Sequence, residues 1–299
     1  AVAGAKQVGV GISNTNLVNL DNTTASIGEG SEVLANGVDA SVTVSAESRQ
    51  DFANIGVSAG ASTTGTGVAG VLGVMVSLAH TEATVADDAI VKANGDVSVT
   101  AHNDSTGVIV AGGIGAGNTA GVGVAVAANV LSNTTQARIG EGAEVSAKKT
   151  TTVSATAEES SVSAVVGGGA AGTTGVGGAL SVNVFVSDTQ ASVGQDAKIN
   201  TDAAYTSADQ GVAIRAQDDT TVVAITGGGA GGGTTGVGAA LDTTVFVKTV
   251  KAGIDDDLAV DLLDPSTLTT VNAKKDVLID AVSSEDLVSV TLGFAGGGT

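Results

Sequence analysis

The side chains able to do acid–base or nucleophilic chemistry are few in this sequence, and they are scattered. It has no cysteine, two histidines (His80 and His102) and three arginines (Arg49, Arg138 and Arg215). Nucleophilic catalysis needs a base held beside the nucleophile. His80 closes an apolar strand and His102 follows one, and neither recurs in the repeats described below, so both are expected as exposed edge residues. Cleavage of sugar chains needs clustered carboxylates with a cation nearby. Carboxylates are plentiful, but Glu29, Asp87, Glu141 and Asp196 fall at turns, where a solubilised surface would place them, and the arginines lie in different repeats. The glycine runs lack the GxxxxGK[ST] pattern and lead into strands, where a phosphate loop requires a helix. Calcium is the one ion to weigh, because Asp255, Asp256 and Asp257 could gather a hard cation with oxygen ligands. A solvated acidic loop is the expectation there. No catalytic, cofactor-binding or metal residue is assigned, and the chain is read as non-enzymatic.

Composition explains why so little chemistry is present. The 299 residues include 44 glycines, one proline, no tryptophan and five Phe or Tyr. Compact domains draw much of their buried area from aromatics. Here the apolar content is Val, Ala, Ile and Leu, the small and β-branched set that suits a pleated sheet. A thin, repetitive core of small side chains follows. The net charge of −19 opposes nucleic acid and anionic membrane surfaces. Residues 107–131 are apolar enough to suggest a membrane span. Their seven glycines would each cost a helix about 1 kcal/mol, and Val122, Val124 and Val126 alternate with a strand period. No membrane insertion of this segment is expected.

Internal repetition organises the rest. An Ala-x-(Ile/Val) anchor recurs at Ala25, Ala83, Ala137, Ala191 and Ala252, with spacings of 58, 54, 54 and 61 residues. After each anchor comes a short alternating strand ending in alanine, such as VSVTA at 97–101 or TTVSA at 151–155. A Gly/Ala run follows, then a turn such as TTGVG at 173–177, then a strongly apolar strand such as LSVNVFV at 180–186. Length variation is concentrated between the anchor and the alternating strand. It is greatest at 194–211, which holds Tyr205, and at 255–276, which holds Pro265. Equivalent loops of a stacked array emerge on one side, so these insertions should decorate one edge. Both ends of the sequence fall inside a repeat and neither reads as a polar cap. The expectation is a segment of a longer array, with a subunit that stacks on copies of itself as the alternative.

These features predict an all-β, elongated parallel β-solenoid of about five 54–61-residue repeats, running as one continuous array over 1–299. Two or three coils per repeat are expected, with valine ladders inside and alanine and glycine at corners and narrow parts. The glycine run, its turn and the apolar strand fit either a coil corner or an antiparallel hairpin.

The unit GGGAAGTTGVGGALSVNVFVSDTQASVGQDAKI at 167–199 resembles repeats of very large exported bacterial adhesins, the filamentous-haemagglutinin-like and leukotoxin-like exoproteins of type V secretion. The resemblance covers essentially the whole chain, but it rests on a low-complexity repeat, and the long insertions depart from it. It implies a right-handed β-helical stalk, export across the outer membrane and an extracellular or cell-surface location. The expected function is a structural or adhesive stalk without cofactors. Its partners would be a host or neighbouring-cell surface, or matrix polysaccharide. A self-assembling extracellular filament subunit and a carbohydrate-binding or carbohydrate-active β-helix are the alternatives.

Overall fold

Alternation of side chains continues straight through each glycine run, so the strands that carry those runs are long. The computed structural model describes residues 1–254 and 268–298. In chain order its strands are β1 (Val2–Ala5), β2 (Val8–Ile27), β3 (Glu32–Ala35), β4 (Val42–Ser62), β5 (Thr66–Val85) and β6 (Ile90–Ala93). There follow β7 (Val97–Gly117), β8 (Ala120–Ile139), β9 (Glu144–Ala147), β10 (Thr150–Ala171), β11 (Thr174–Val193) and β12 (Lys198–Ile199). The last four are β13 (Gly211–Gly232), β14 (Thr235–Ile254), β15 (Thr270–Val271) and β16 (Val277–Gly297). They form three sheets: A is β1-β4-β7-β10-β13-β16, B is β14-β11-β8-β5-β2, and C is β15-β12-β9-β6-β3.

Every pairing among the described strands is parallel. The solenoid expectation holds, and the hairpin alternative does not. The glycine run and the following strand do fold back across Gly172 and Thr173, but as an arch. The two arms face each other through their side chains, and their backbone groups pair with the coils above and below. Each repeat makes one coil and not two or three: Ala25 pairs with Ala83, Ala83 with Ala137, Ala137 with Ala191 and Ala191 with Ala252. The five anchors are thus one ladder. A coil spends about 65 Å of chain on each long strand, and five coils stack to only about 24 Å.

The cross-section is a wedge whose interior changes along its depth. At the wide end the inward rows of sheets A and B and the short strands of sheet C bury Val44, Val99, Val153 and Ile214 with Val91, Val145 and Ile199. A second apolar cluster, deeper in, gathers Met75, Ile109, Leu131 and Phe185, with the Phe185 and Phe246 rings stacked at 5.4 Å. At the thin end the sheets meet backbone to backbone: a Cβ on Gly169 would lie 2.0 Å from the Val176 carbonyl oxygen, and one on Gly115 would lie 2.0 Å from that of Val122. Glycine in the narrow part was expected. The valine ladders divide differently from expectation. They line the interior at the wide end, but in β11 Ser181, Asn183 and Phe185 point inward while Val182, Val184 and Val186 face out.

The 194–211 insertion lies back along the sheet C edge. Asp202 caps a 3₁₀ turn at Ala203–Tyr205 and pairs at 2.7 Å with Lys92 of β6, two coils earlier. The Tyr205 hydroxyl donates to Asn36 Oδ1 at 3.1 Å, and Lys148 sits over its ring at 5.8 Å. Pro265 and most of the second insertion lie outside the described residues.

Candidate functional site: a buried charge cluster on a polar spine

Between the two apolar clusters, the inward row of β10 reads Val153, Ala155, Ala157 and then Glu159. Strand alternation commits that carboxylate to the interior, and it is 4% exposed. Its neighbours in the same row of sheet A are Gln50, Ser105, Thr220 and Glu285. The facing row of sheet B holds Asp21, Ala79, Asn133, Ser187 and Lys248. A polar spine therefore runs through the coils. In the first coils it is satisfied by hydrogen bonds: Asp21 accepts from Ser48 Oγ at 2.5 Å and Gln50 Nε2 at 2.9 Å, which lowers its pKa. Ser77 Oγ donates to Gln50 Oε1 at 2.9 Å.

Further along, the spine becomes ionic. Asp218 is fully buried and contacts the Lys248 ammonium, whose side chain is 6% exposed. Asp218 also accepts from Ser187 Oγ and, at 3.0 Å, from Thr189 Oγ1. Lys248 reaches Glu285 at 3.3 Å. The hydrogen bond from Ser283, with help from Lys248, holds Glu285 below the usual carboxylate range. Glu159 accepts from Asn133 Nδ2 at 2.8 Å, Thr220 Oγ1 at 2.7 Å and Ser187 Oγ at 3.2 Å. Burial, then the nearby Asp218 charge, push its pKa up to about 7 against those hydrogen bonds and Lys248.

This arrangement can exchange a proton near neutral pH. A glutamate in the unfolded chain titrates near 4.5. Between that value and about 7 the folded chain keeps a proton that the unfolded chain has released. Stability therefore falls as pH rises through this window, by an amount on the order of 3 kcal/mol, and levels off on either side. Glu159→Gln should remove that slope while keeping the side chain's size, and urea midpoints across the window would show it. Equal slopes in variant and native chain would mean that Glu159 does not control it.

The residues singled out in sequence are not assembled into a catalytic constellation. His80 faces outward on sheet B, 3.4 Å from Glu82, and His102 faces outward on sheet A. Arg49 lies beside Asp51 and Asp104 on the outer face of sheet A, and Arg138 meets Asp87 at 3.3 Å. The turn carboxylates share one corner, where Gly30, Asp88, Gly142 and Asp196 take positive φ at successive coils. That corner is bonded along the stack, Gly30 N to Asp87 O at 3.0 Å and Asp88 N to Glu141 O at 2.8 Å. Asp87 Oδ1 is engaged by Glu141 N at 2.8 Å. Among the described residues no group of three His, Asp or Glu is placed to hold a metal ion. The calcium reading concerned Asp255, Asp256 and Asp257, which lie outside the described residues.

The spine was missed in the sequence because its members look like ordinary polar strand residues. Parity was the available signal: Glu159 and Asp218 each lie an even number of places from an inward valine or isoleucine of the same strand. No protein-family model matches the chain, and comparison with curated proteins finds no match either.

Proposed function

We propose that this chain is a non-enzymatic extracellular contact element of a bacterial surface or secreted filamentous protein, adhesive more than spacing. The observation that supports this most is how the fold spends its residues. A repeat of 54 residues or more advances the stack by one strand spacing, about 4.8 Å, which is poor reach for a spacer. What the repeat builds instead is depth: two broad, regular outer faces held rigid by continuous parallel ladders. The most deeply buried ionisable groups are engaged within the protein, Asp218 with Lys248 and Glu159 with Asn133 and Thr220. The partners that fit are a host or neighbouring-cell surface, or a matrix polysaccharide.

Two measurements test this. Antibody raised against the chain should label intact producing cells, and labelling only after permeabilisation would overturn the extracellular assignment. Beads carrying the purified chain should adhere to cells or to immobilised polysaccharide. Beads that adhere to neither would remove the adhesive half of the proposal.

A further inference from the structure

In the three central coils the thin half of the wedge carries no charge, and most of its valine, isoleucine and leucine side chains lie on the outside. Residues 53–79, 107–133 and 161–187 contain no Asp, Glu, Lys, Arg or His. Their inward rows are mostly glycine, serine, asparagine and alanine, and their outward rows are mostly valine, isoleucine and leucine, interspersed with alanine and glycine. The exposure is not confined to the outermost coils. Ile114, Val166 and Ile225 on sheet A and Leu72, Val124 and Val186 on sheet B are 38–57% exposed, each in a strand paired on both sides. Apolar patches on monomers seldom exceed a few hundred Å². Each face here is about 35 Å deep and about 24 Å tall, roughly 800 Å², which matches one side of a standard protein interface.

The relief of the sheet A face indicates what covers it. Along one outward row the ladder alternates large and absent side chains: Val57, Gly112, Val166, Gly227, Leu292. In the adjacent row Ile114 is followed by Gly168 and Gly229. A Cβ on Gly168 would meet the flank of Ile114 at 3.8 Å and the Gly229 carbonyl oxygen at 3.9 Å, and one on Gly227 would meet the flank of Val166 at 3.9 Å, all ordinary contact distances. These outward glycines leave a hollow of about 450 Å³ between Ile114, Val166, Ile225 and Phe294. Along the row from Val57 to Leu292 ridges and hollows therefore alternate from coil to coil, and a second copy turned by a two-fold axis presents ridges at that same spacing. Such a surface is complementary to itself. A bilayer fits less well: the chain has a net charge of −19 and five Phe or Tyr, too few for the aromatic girdles of membrane strands.

We propose that the outer face of sheet A over the thin half of the wedge is a contact face between two copies of this chain, packed side by side with aliphatic ridges seated in glycine hollows. This is distinct from stacking at the coil ends, and it does not depend on the adhesive reading.

The test is sedimentation velocity over a dilution series of the purified chain, the Val166→Lys/Ile225→Lys variant, and Gly227→Leu, which fills a hollow. The native chain is expected to associate reversibly. The lysine variant should sediment as a monomer, and Gly227→Leu should dissociate at higher concentration than native, with strand circular dichroism unchanged because all three positions face outward. Electron micrographs of the native chain should show particles that widen and do not lengthen. A native chain that stays monomeric at its highest soluble concentration would overturn the proposal. So would association that the lysine variant leaves intact, or particles that grow only in length. Flotation of monomeric native chain with neutral phosphatidylcholine vesicles, abolished by the lysine variant, would reassign the face to lipid.

Discussion

Gly167→Ala should destabilise the chain by several kcal/mol, while the same change at the next residue, Gly168→Ala, should leave stability within about 1 kcal/mol of native. The two glycines are adjacent in β10 and have the same backbone class, so helix or strand propensity cannot separate them. Direction can. Gly167 points into the thin end, where a Cβ would sit 1.8 Å from the Gly178 carbonyl oxygen and 2.6 Å from its carbonyl carbon. Those atoms are backbone of β11, which is laddered to β8 and β14 on either side, so they cannot swing aside as a side chain would. Overpacking against movable side chains typically costs about 1–3 kcal/mol, and a clash with ladder backbone in mid-stack should exceed that. Gly168 points outward, with its nearest neighbour, Ile114 Cγ1, at 3.8 Å. An alanine there contacts Ile114 normally and restricts the unfolded chain, which favours folding by up to about 1 kcal/mol. Urea titrations followed by circular dichroism would measure both. Equal losses at the two positions would mean that the sheets do not meet backbone to backbone.

Lys248→Met should cost about 3–5 kcal/mol, because it leaves Asp218 buried without its counter-charge. The loss comes from the abandoned partner more than from the lost attraction. Adding Asp218→Asn to Lys248→Met should therefore recover most of it, since the amide stays neutral and its oxygen can still accept from Ser187 and Thr189. Removing Lys248 also removes one of the influences that hold the Glu159 pKa down. The single variant should accordingly lose more stability at neutral pH than at acid pH. A double-mutant cycle showing no coupling between positions 218 and 248 would contradict the cluster.

Much of the coil was legible in the sequence. The alanine anchors and the constant distances around them marked a stack, and they turned out to be a single ladder. The number of coils per repeat was not legible, because a glycine run with its turn fits a coil corner as well as the tip of a long arch. Only the backbone proximity at Gly115, Gly167 and Gly169 explains why these runs stay extended. A run such as VVGGGAA needs no side chains on its inner face when another backbone fills that space. The same proximity explains the inverted valines of β11: Gly175 and Gly177 must face inward where the sheets touch, and strand alternation carries that parity along β11, so Ser181, Asn183 and Phe185 point inside and Val182, Val184 and Val186 outside. The short strands of sheet C do not stand out because two to four residues carry too little periodicity. The buried cluster was hidden by its composition, since Glu158 and Glu159 are adjacent and only register with Val153 separates the outward one from the inward one.

Small-angle X-ray scattering from the isolated chain, extrapolated to infinite dilution, tests the central claim most directly, namely that each repeat is one deep coil that builds faces at the expense of reach. One coil per repeat gives a flat wedge whose longest dimension, about 70 Å, runs across the stack, with a stack height near 24 Å. A slender rod with two or three coils per repeat would have a height at least double that and a much narrower cross-section. A scattering profile of that kind would contradict the account at its base, and with it the broad faces on which the proposed contacts depend.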